Sequence, residues 1–293
     1  MKELTVVSGK GGTGKTSLAA SISVLAPDSV LADCDVDAAD LYLVFDPRRL
    51  DSEEFSGGSK AAVIPDLCTG CGRCVEVCRF DAFTRQGSEP PVVDQTFCEG
   101  CGVCRLACPA DAIDFSPSLD GWVYRSATRR GPMVHAELAL GRENSGKLVS
   151  LVRKRAAQWA GRKELDLVVI DGSPGIGCPV IASLTGVDLA LMLAEPSVSG
   201  VHDLQRLLSL SSRLGVESAV AVNRWDISPE MTGRIEDMAR ETGAEFLGRI
   251  RYDDRVTEAI VARKAPVEHF GEGAAEDMRQ VWRRAESLLR RQG

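Results

Sequence analysis

The chain predicts an α/β fold with a mostly parallel sheet, into which a small α+β, cysteine-rich domain is inserted. Three observations predict it. An apolar strand at Leu4–Val7 runs into the glycine-rich loop Gly9-Lys10-Gly11-Gly12-Thr13-Gly14-Lys15-Thr16 and then into a helical stretch, Thr16–Leu25. From residue 150 to the C-terminus, strand and helix patterns alternate. Between these halves, eight cysteines fall in two runs 30 residues apart.

The glycine-rich loop reads G-x-x-x-x-G-K-[ST] in the strand–loop–helix context that a phosphate-binding loop requires. Gly9, Gly11, Gly12 and Gly14 let backbone N–H groups around Thr13 turn inward on phosphates, and the helix N-terminus adds positive potential. Lys15 is placed to reach the β- and γ-phosphates and the Thr16 hydroxyl to hold Mg²⁺, with Ser17 next to it in the first helical turn. The second strand, within Val30–Asp40, ends in the acids Asp33, Asp35 and Asp37, where ligands bind in such sheets. Leu167–Asp171 reads as a Walker B strand whose Asp171 holds Mg²⁺ through water. Gly172–Gly177 then reads as a loop that senses the γ-phosphate.

The cysteine runs are Cys68-x2-Cys71-x2-Cys74-x3-Cys78 and Cys98-x2-Cys101-x2-Cys104-x3-Cys108-Pro109. Gly70/Gly100, Gly72/Gly102, Asp81/Asp111 and Ala82/Ala112 repeat with them, an internal duplication. This is the run of bacterial two-cluster ferredoxins, in which the fourth cysteine of each run ligates the other cluster. One [4Fe–4S] cluster is therefore assigned to Cys68, Cys71, Cys74 and Cys108, and the other to Cys98, Cys101, Cys104 and Cys78. Zinc is the rival metal, but structural zinc sites space two cysteine pairs apart. A disulfide framework suits small secreted chains, not one of 293 residues. Arg79 departs from the repeat, standing where the second run has Pro109.

In domain terms, residues 1–59 form the first part of the nucleotide-binding domain, 60–116 the inserted domain, and 117–293 the second part. Ser56-Gly57-Gly58-Ser59 reads as a linker. Short strands precede each cysteine run, at Ala61–Ile64 and Pro91–Val93, and Pro117 and Gly121 mark the exit. Trp122–Leu140 reads as a hairpin turning near Arg130-Gly131-Pro132. Helices follow at Ser150–Trp159, Val201–Leu214, Pro229–Thr242 and Glu276–Arg290, and strands at Leu165–Asp171, Val187–Leu193 and Glu217–Val222.

A hydrophobic content of 44% supports a sizeable core. The chain enters a strand at once, with no signal-peptide pattern, and its longest apolar runs are too short to cross a bilayer. These features, with the reduced thiols, predict a cytoplasmic protein. A net charge of -7 argues against nucleic-acid binding, and none is expected. The stretch from Arg125 to Lys163 carries ten Lys and Arg and reads as a solvated face or a docking patch for an acidic partner.

Lys10, inside the loop, is not required by an ordinary phosphate-binding loop. With it, the loop resembles the deviant Walker A loop of the MinD/ParA/Mrp ATPases and the nitrogenase iron protein. The whole chain resembles MinD-superfamily, SIMIBI-like P-loop ATPases carrying an inserted two-cluster ferredoxin domain. The pieces that carry this resemblance are GKGGTGKT, DCDVDAAD, the cysteine runs, GRENSGKLV (Gly141–Val149), DGSPGIGCP (Asp171–Pro179) and EPSVSGVHDLQR (Glu195–Arg206). The resemblance implies Mg²⁺-dependent ATP hydrolysis and electron-carrying clusters. It implies that Lys10 crosses a dimer interface to the partner's nucleotide, which makes ATP the glue of a homodimer. It implies that Asp35 positions the attacking water and Mg²⁺, so that Lys10, Lys15 and Asp35 are the catalytic residues. It implies that Asn223 reads adenine, although an asparagine after a strand can also be a plain turn residue.

Two cysteines remain. Cys178 stands at a place similar to the cluster cysteine of the nitrogenase iron protein, and Cys34 lies in the acidic strand end; both are read as buried or idle thiols. The three histidines read as surface or packing residues. The last helix carries Met278, Val281, Trp282, Ala285, Leu288 and Leu289 on one side and is expected to pack on its own sheet, so membrane association is not expected. Three functions follow in order: an ATP-gated electron donor to a redox partner, an Mrp-like iron–sulfur or metallocofactor assembly ATPase, and a MinD-like spatial organiser with redox-sensing clusters.

Overall fold

The computed structural model describes residues 1–87, 89–142 and 146–291. The chain divides into two compact units, one of Met1–Glu53, Val123–Glu137 and Asn144–Gly293, the other of Glu54–Trp122 and Leu138–Glu143.

The first unit opens with β1 (Lys2–Ser8), α1 (Lys15–Leu25), β2 (Ser29–Asp33) and α2 (Leu41–Phe45). β3 (Arg48–Phe55) leads toward the second unit. There follow β4 (Ser59–Val63), α3 (Arg73–Glu76), β5 (Phe83–Thr84), β6 (Val92–Val93), α4 (Val103–Ala107) and β7 (Ile113–Pro117). β8 (Gly121–Thr128) and β9 (Gly131–Leu138) lead back, followed by α5 (Gly146–Lys163), β10 (Leu167–Pro174), α6 (Cys178–Leu184) and β11 (Leu189–Ala194). The chain closes with α7 (Val198–Leu214), β12 (Ser218–Asn223), α8 (Pro229–Glu241), β13 (Glu245–Ile250), α9 (Arg255–Val261), α10 (Pro266–His269) and α11 (Ala274–Arg291).

Among the described residues the main sheet has the strand order β13-β12-β11-β1-β10-β2-β9-β8-β3. From β13 to β9 every pairing is parallel. β1, β10, β11 and β12 are buried along almost their whole length, as a parallel sheet covered on both faces demands. One face is covered by α1 and α11, whose Leu18, Ile22, Met278, Val281, Trp282 and Leu289 pack on Leu4, Val6, Leu191 and Leu193. The apolar side of α11 thus lies in the core. No helix among the described residues is long and apolar enough to cross a membrane.

Several local expectations are corrected. β10 continues past Asp171 through Gly172, Ser173 and Pro174, because Pro174 pairs with Ser8 of β1 after a one-residue bulge; the loop before α6 is only Gly175–Gly177. The turn between β8 and β9 falls at Arg129–Arg130, one residue early, with Thr128 Oγ1 donating to the Gly131 carbonyl. Ser56–Gly58 is no bare linker: Gly57 N–H donates to Asp120 Oδ2 at 2.7 Å and Ser118 N–H to the Gly58 carbonyl. β3, β13 and α9 were not expected. Of the stretch Gly141–Val149, Glu143, Asn144 and Ser145 lie outside the described residues. Within the basic stretch, Arg125 meets Asp51, Arg129 and Arg130 meet Glu268, Arg153 meets Glu3 and Arg155 meets Glu53.

In the second unit, β4 pairs antiparallel with β7 and β5 with β6. The sequence duplication is a backbone duplication: Gly72 and Gly102 share φ near 80° (79° and 81°), and Asp81 and Asp111 share φ near 50° (51° and 48°). A side chain in place of Gly72 or Gly102 would be strained by that positive φ. Ala61, Ala82, Phe83, Ile113 and the side chains of Cys74, Cys98 and Cys104 form the small core.

Candidate functional site

The phosphate loop leaves β1 at its C-terminal end and re-enters order at α1, in the crevice where parallel sheets bind ligands. A cleft of about 450 Å³ opens there, lined by Gly11, Gly12, Thr13, Gly14, Lys15, Thr16, Ser17, Asp35 and Asn223. Gly14 has φ 87°, and a Cβ on it would stand 2.5 Å from Asn223 Nδ2, so the loop and the end of β12 meet only because no side chain intervenes. Asn223 Nδ2 donates to the Thr13 carbonyl at 2.7 Å, and Asn223 Oδ1 accepts from the Arg224 N–H at 3.0 Å.

Lys15 is the charge centre of the cleft. Its Nζ donates to Asp171 Oδ1 at 2.7 Å and Asp35 Oδ2 at 3.0 Å, all three side chains being buried. Burial works against the ammonium, yet Asp171 and Asp35 together hold its pKa above the ordinary lysine value. Burial pushes the Asp35 carboxyl up, with Lys15 opposing. Asp33, at the end of β2, is pushed up further by burial and by the neighbouring Asp171. Asp33 Oδ2, Asp171 Oδ2 and Thr13 Oγ1 are buried without a hydrogen-bond partner among the described residues. Buried polar atoms left open in this way are what a nucleotide and its cation would satisfy, so the donor set fits Mg²⁺ with a phosphate chain.

Lys10 and Gly9 do not line this cleft. They bound a neighbouring hollow with Glu195 and Asp203, where Lys10 Nζ meets Glu195 Oε2 at 2.9 Å. A Cβ on Gly9 would come within 2.2 Å of Asp203 Cβ, so α7 packs directly against the loop. Gly175 N–H donates to the Ser8 carbonyl at 2.8 Å, and Ser173 Oγ to the Cys34 carbonyl at 2.7 Å.

Sequence reasoning missed one wall of the cleft: Arg251, Tyr252 and Asp253 after β13, with Val256, Thr257 and Ile260 of α9. Arg251 is held bidentately by Asp277, and Tyr252 N–H donates to Asp226 Oδ1. The signal was the polar run Arg251–Asp254 after a short apolar alternation, weak in an edge strand. Cys34 is buried, which raises its thiol pKa, whereas Cys178 is exposed at the start of α6. His135 is buried and hydrogen-bonded to Ser126 Oγ at 2.9 Å, a packing role.

Seven of the eight repeat thiols have a neighbouring thiol: Cys74 with Cys68 and Cys108, and Cys78, Cys98, Cys101 and Cys104 around one hollow. Burial pushes the Cys74 thiol up, and Cys68 and Cys108 add to the effect; at Cys104 burial is joined by Cys98 and Cys101. A small hollow is lined by Cys78, Cys98, Cys101 and Cys104, walled by Phe80, Phe83 and Phe115. Ala61 N–H donates to Cys98 Sγ at 3.5 Å and Ala112 N–H to Cys108 Sγ at 3.3 Å. Among the described residues, no three His, Cys, Asp or Glu side chains converge on one metal ion. A four-iron cluster binds each thiolate on a separate iron atom, so its sulfurs stand wider apart than the ligands of a single ion. Backbone N–H groups aimed at sulfur and the grouping of the thiols fit such a cluster.

Residues 4–267 match the family model described as the CobQ/CobB/MinD/ParA nucleotide binding domain. The chain is 36% identical over 225 residues to an uncharacterized protein of Methanocaldococcus jannaschii, MJ0578, covering 76% of this chain and 78% of that one. The fold is similar to that of the cell division ATPase MinD of Pyrococcus furiosus, with a TM-score of 0.59 at 18% identity over 98% of this chain and 99% of that one. MinD of Pyrococcus horikoshii in complex with Mg-ADP gives the same TM-score at 16% identity, covering 98% and 96%.

Proposed function

The chain belongs to the CobQ/CobB/MinD/ParA nucleotide-binding family, and from that premise we propose that it is an ATP-hydrolysing iron–sulfur protein that couples nucleotide-dependent dimerisation to electron transfer through two [4Fe–4S] clusters. The observation that supports this reading is the combination, in one chain, of a lysine-armed phosphate loop with two runs of four cysteines.

Each residue has a role in that reading. The N–H groups of Gly11–Lys15 and the Lys15 ammonium bind the phosphates. Thr16, Asp35 and Asp171 hold Mg²⁺, which when bound draws charge off the phosphate oxygens. Asp35 orients the attacking water. Asn223, with the Arg251–Ile260 wall, takes the base. Lys10 reaches the nucleotide of a second subunit. Cys68, Cys71, Cys74 and Cys108 hold one cluster, and Cys98, Cys101, Cys104 and Cys78 the other; the clusters supply one-electron transfer. The partner is a redox protein, and the ATP-bound homodimer sets when it docks.

A second reading, a MinD-like organiser, is favoured by the likeness to MinD structures. The buried apolar side of α11 gives it no membrane-binding face on that helix. In an Mrp-like assembly ATPase, the clusters would be cargo and easily lost.

The test is an iron and sulfide assay followed by an anaerobic redox titration with EPR, with and without MgATP. About eight iron atoms per chain and an ATP-dependent potential or spectrum are expected. Ordinary ferredoxin signals that ignore ATP would rule out direct tuning of the clusters. A chain without iron would leave the organiser.

A further inference from the structure

Three neighbouring strands of the main sheet, β12, β11 and β1, carry a charged residue just past their carboxyl ends: Arg224 after Asn223, Glu195 after Ala194, and Lys10 two residues after Ser8. Register sets them level. Val7 pairs with Met192, and Lys10 and Glu195 each stand three residues further on; Ala194 pairs with Val222, two residues before Arg224. The charges therefore run plus, minus, plus across one rim of the sheet. Glu195 divides its carboxylate between the two cations: Oε1 accepts from Arg224 Nη1 at 2.6 Å, and Oε2 meets Lys10 Nζ at 2.9 Å. Both backbones are pinned. Ser8 Oγ donates to the Lys10 carbonyl at 2.8 Å, and Ser197 N–H donates to the Glu195 carbonyl at 2.8 Å. A Cβ on Gly200 would stand 2.1 Å from that same Glu195 oxygen, so the first turn of α7 closes over it. What can move is the lysine side chain, 39% exposed against 17% for Glu195.

A lysine that is to act on another subunit's nucleotide has to leave this carboxylate first. Its one ion pair among the described residues is the pair with Glu195, and pairs with so exposed a partner are weak. Arg224 weakens the hold further, because two cations on one carboxylate repel each other and each feels a partly neutralised anion. We propose that Glu195 is the positioning residue of Lys10: it parks the lysine on its own subunit until a second, nucleotide-loaded subunit arrives, and Arg224 sets how readily the lysine leaves. The proposal rests on the reading that Lys10 acts in trans. The partner's triphosphate carries more charge than one shared carboxylate and draws the lysine across. Each dimer opens two such latches, so a modest effect at one pair is squared in the dimerisation constant.

The test follows dimerisation of the full chain by sedimentation velocity, with Mg²⁺ and a saturating non-hydrolysable ATP analogue. Hydrolysis then does not enter, and every variant is compared with its cleft filled. Glu195→Gln is expected to dimerise at about tenfold lower concentration than wild type, because Lys10 is free from the start. Arg224→Gln is expected to need about tenfold higher concentration, because Glu195 then holds Lys10 alone. Ion pairs that only supported the fold would shift both variants the same way. Lys10→Ala/Glu195→Gln is expected to dimerise as poorly as Lys10→Ala, which separates release of the lysine from the mere loss of a negative charge. With Lys10→Ala impaired, a Glu195→Gln chain that gains nothing would overturn the latch. So would an Arg224→Gln shift in the same direction as Glu195→Gln, or a gain that persists in the double variant. Lys10→Ala dimerising like wild type would instead overturn the action in trans. A wild-type chain that stays monomeric with the analogue would overturn nucleotide-dependent dimerisation before any variant is made.

Discussion

Lys10 Nζ stands 2.9 Å from Glu195 Oε2, and Arg224 Nη1 holds the other oxygen of the same carboxylate at 2.6 Å. The second lysine of the phosphate loop is therefore held within its own chain, outside the cleft that Lys15 serves. A Lys10→Ala variant is expected to bind nucleotide within about twofold of wild type, because Lys10 is not in that cleft. ATP hydrolysis and nucleotide-dependent dimerisation are expected to fall by tenfold or more, as when a transition-state cation is removed. Turnover assays with size-exclusion chromatography check this. Hydrolysis at the wild-type rate would rule out a role for Lys10 in trans.

Lys15→Ala is expected to abolish ATP binding. It also leaves Asp35 and Asp171 facing each other without a cation, beside Asp33. Removing one partner of a buried charge set costs about 3–5 kcal/mol, so the variant should also lose stability. Isothermal titration with ATP reads the first effect and urea denaturation the second. Normal stability would refute the buried charge set as a source of folding free energy.

The assignment of Cys78 to the hollow with Cys98, Cys101 and Cys104 makes a specific demand. Cys78→Ser is expected to lower iron content and to alter one EPR signal while the other, which owes nothing to Cys78, persists. Retention of about eight iron atoms per chain would overturn the crossed pairing.

Burial holds His135 down, from the ordinary 6.5 to about 4, with Arg49 adding to the effect. The sign follows from linkage. The unfolded chain protonates near 6.5 and the folded one only near 4, so stability present above 6.5 is lost as pH falls through that window. At about 1.4 kcal/mol per pH unit the full loss is about 3 kcal/mol. His135→Gln is expected to remove this acid limb, while being less stable at pH 7 through its altered bond to Ser126. Urea midpoints between pH 7 and 4 measure it, and identical slopes in the two proteins would refute it.

How much of this could be read from the residues differs by part. Gly9–Thr16, the repeated cysteine runs and the strands at Leu4, Leu167 and Leu189 announce themselves, because a phosphate loop needs particular residues at fixed spacing and a duplicated run shows as identities 30 residues apart. β13 did not: Glu245–Ile250 is a short edge strand whose alternation is broken by Gly248 and Arg249, and with it the Arg251–Ile260 wall was lost. The end of β10 was misjudged for a tertiary reason, since Gly172 and Pro174 look like loop residues until β1 supplies a neighbour. That Lys10 would face Glu195 is a fact of how α7 packs on the loop, and no local pattern carries it.

The hydrogen bond from Gly175 to Ser8 ties the end of β10 to the root of the phosphate loop. Only Ile176 and Gly177 separate Gly175 from α6, which begins at Cys178. Pro174 lines the cleft and Cys178 is exposed at the start of α6, so four positions along the chain lead from the cleft wall to a surface thiol.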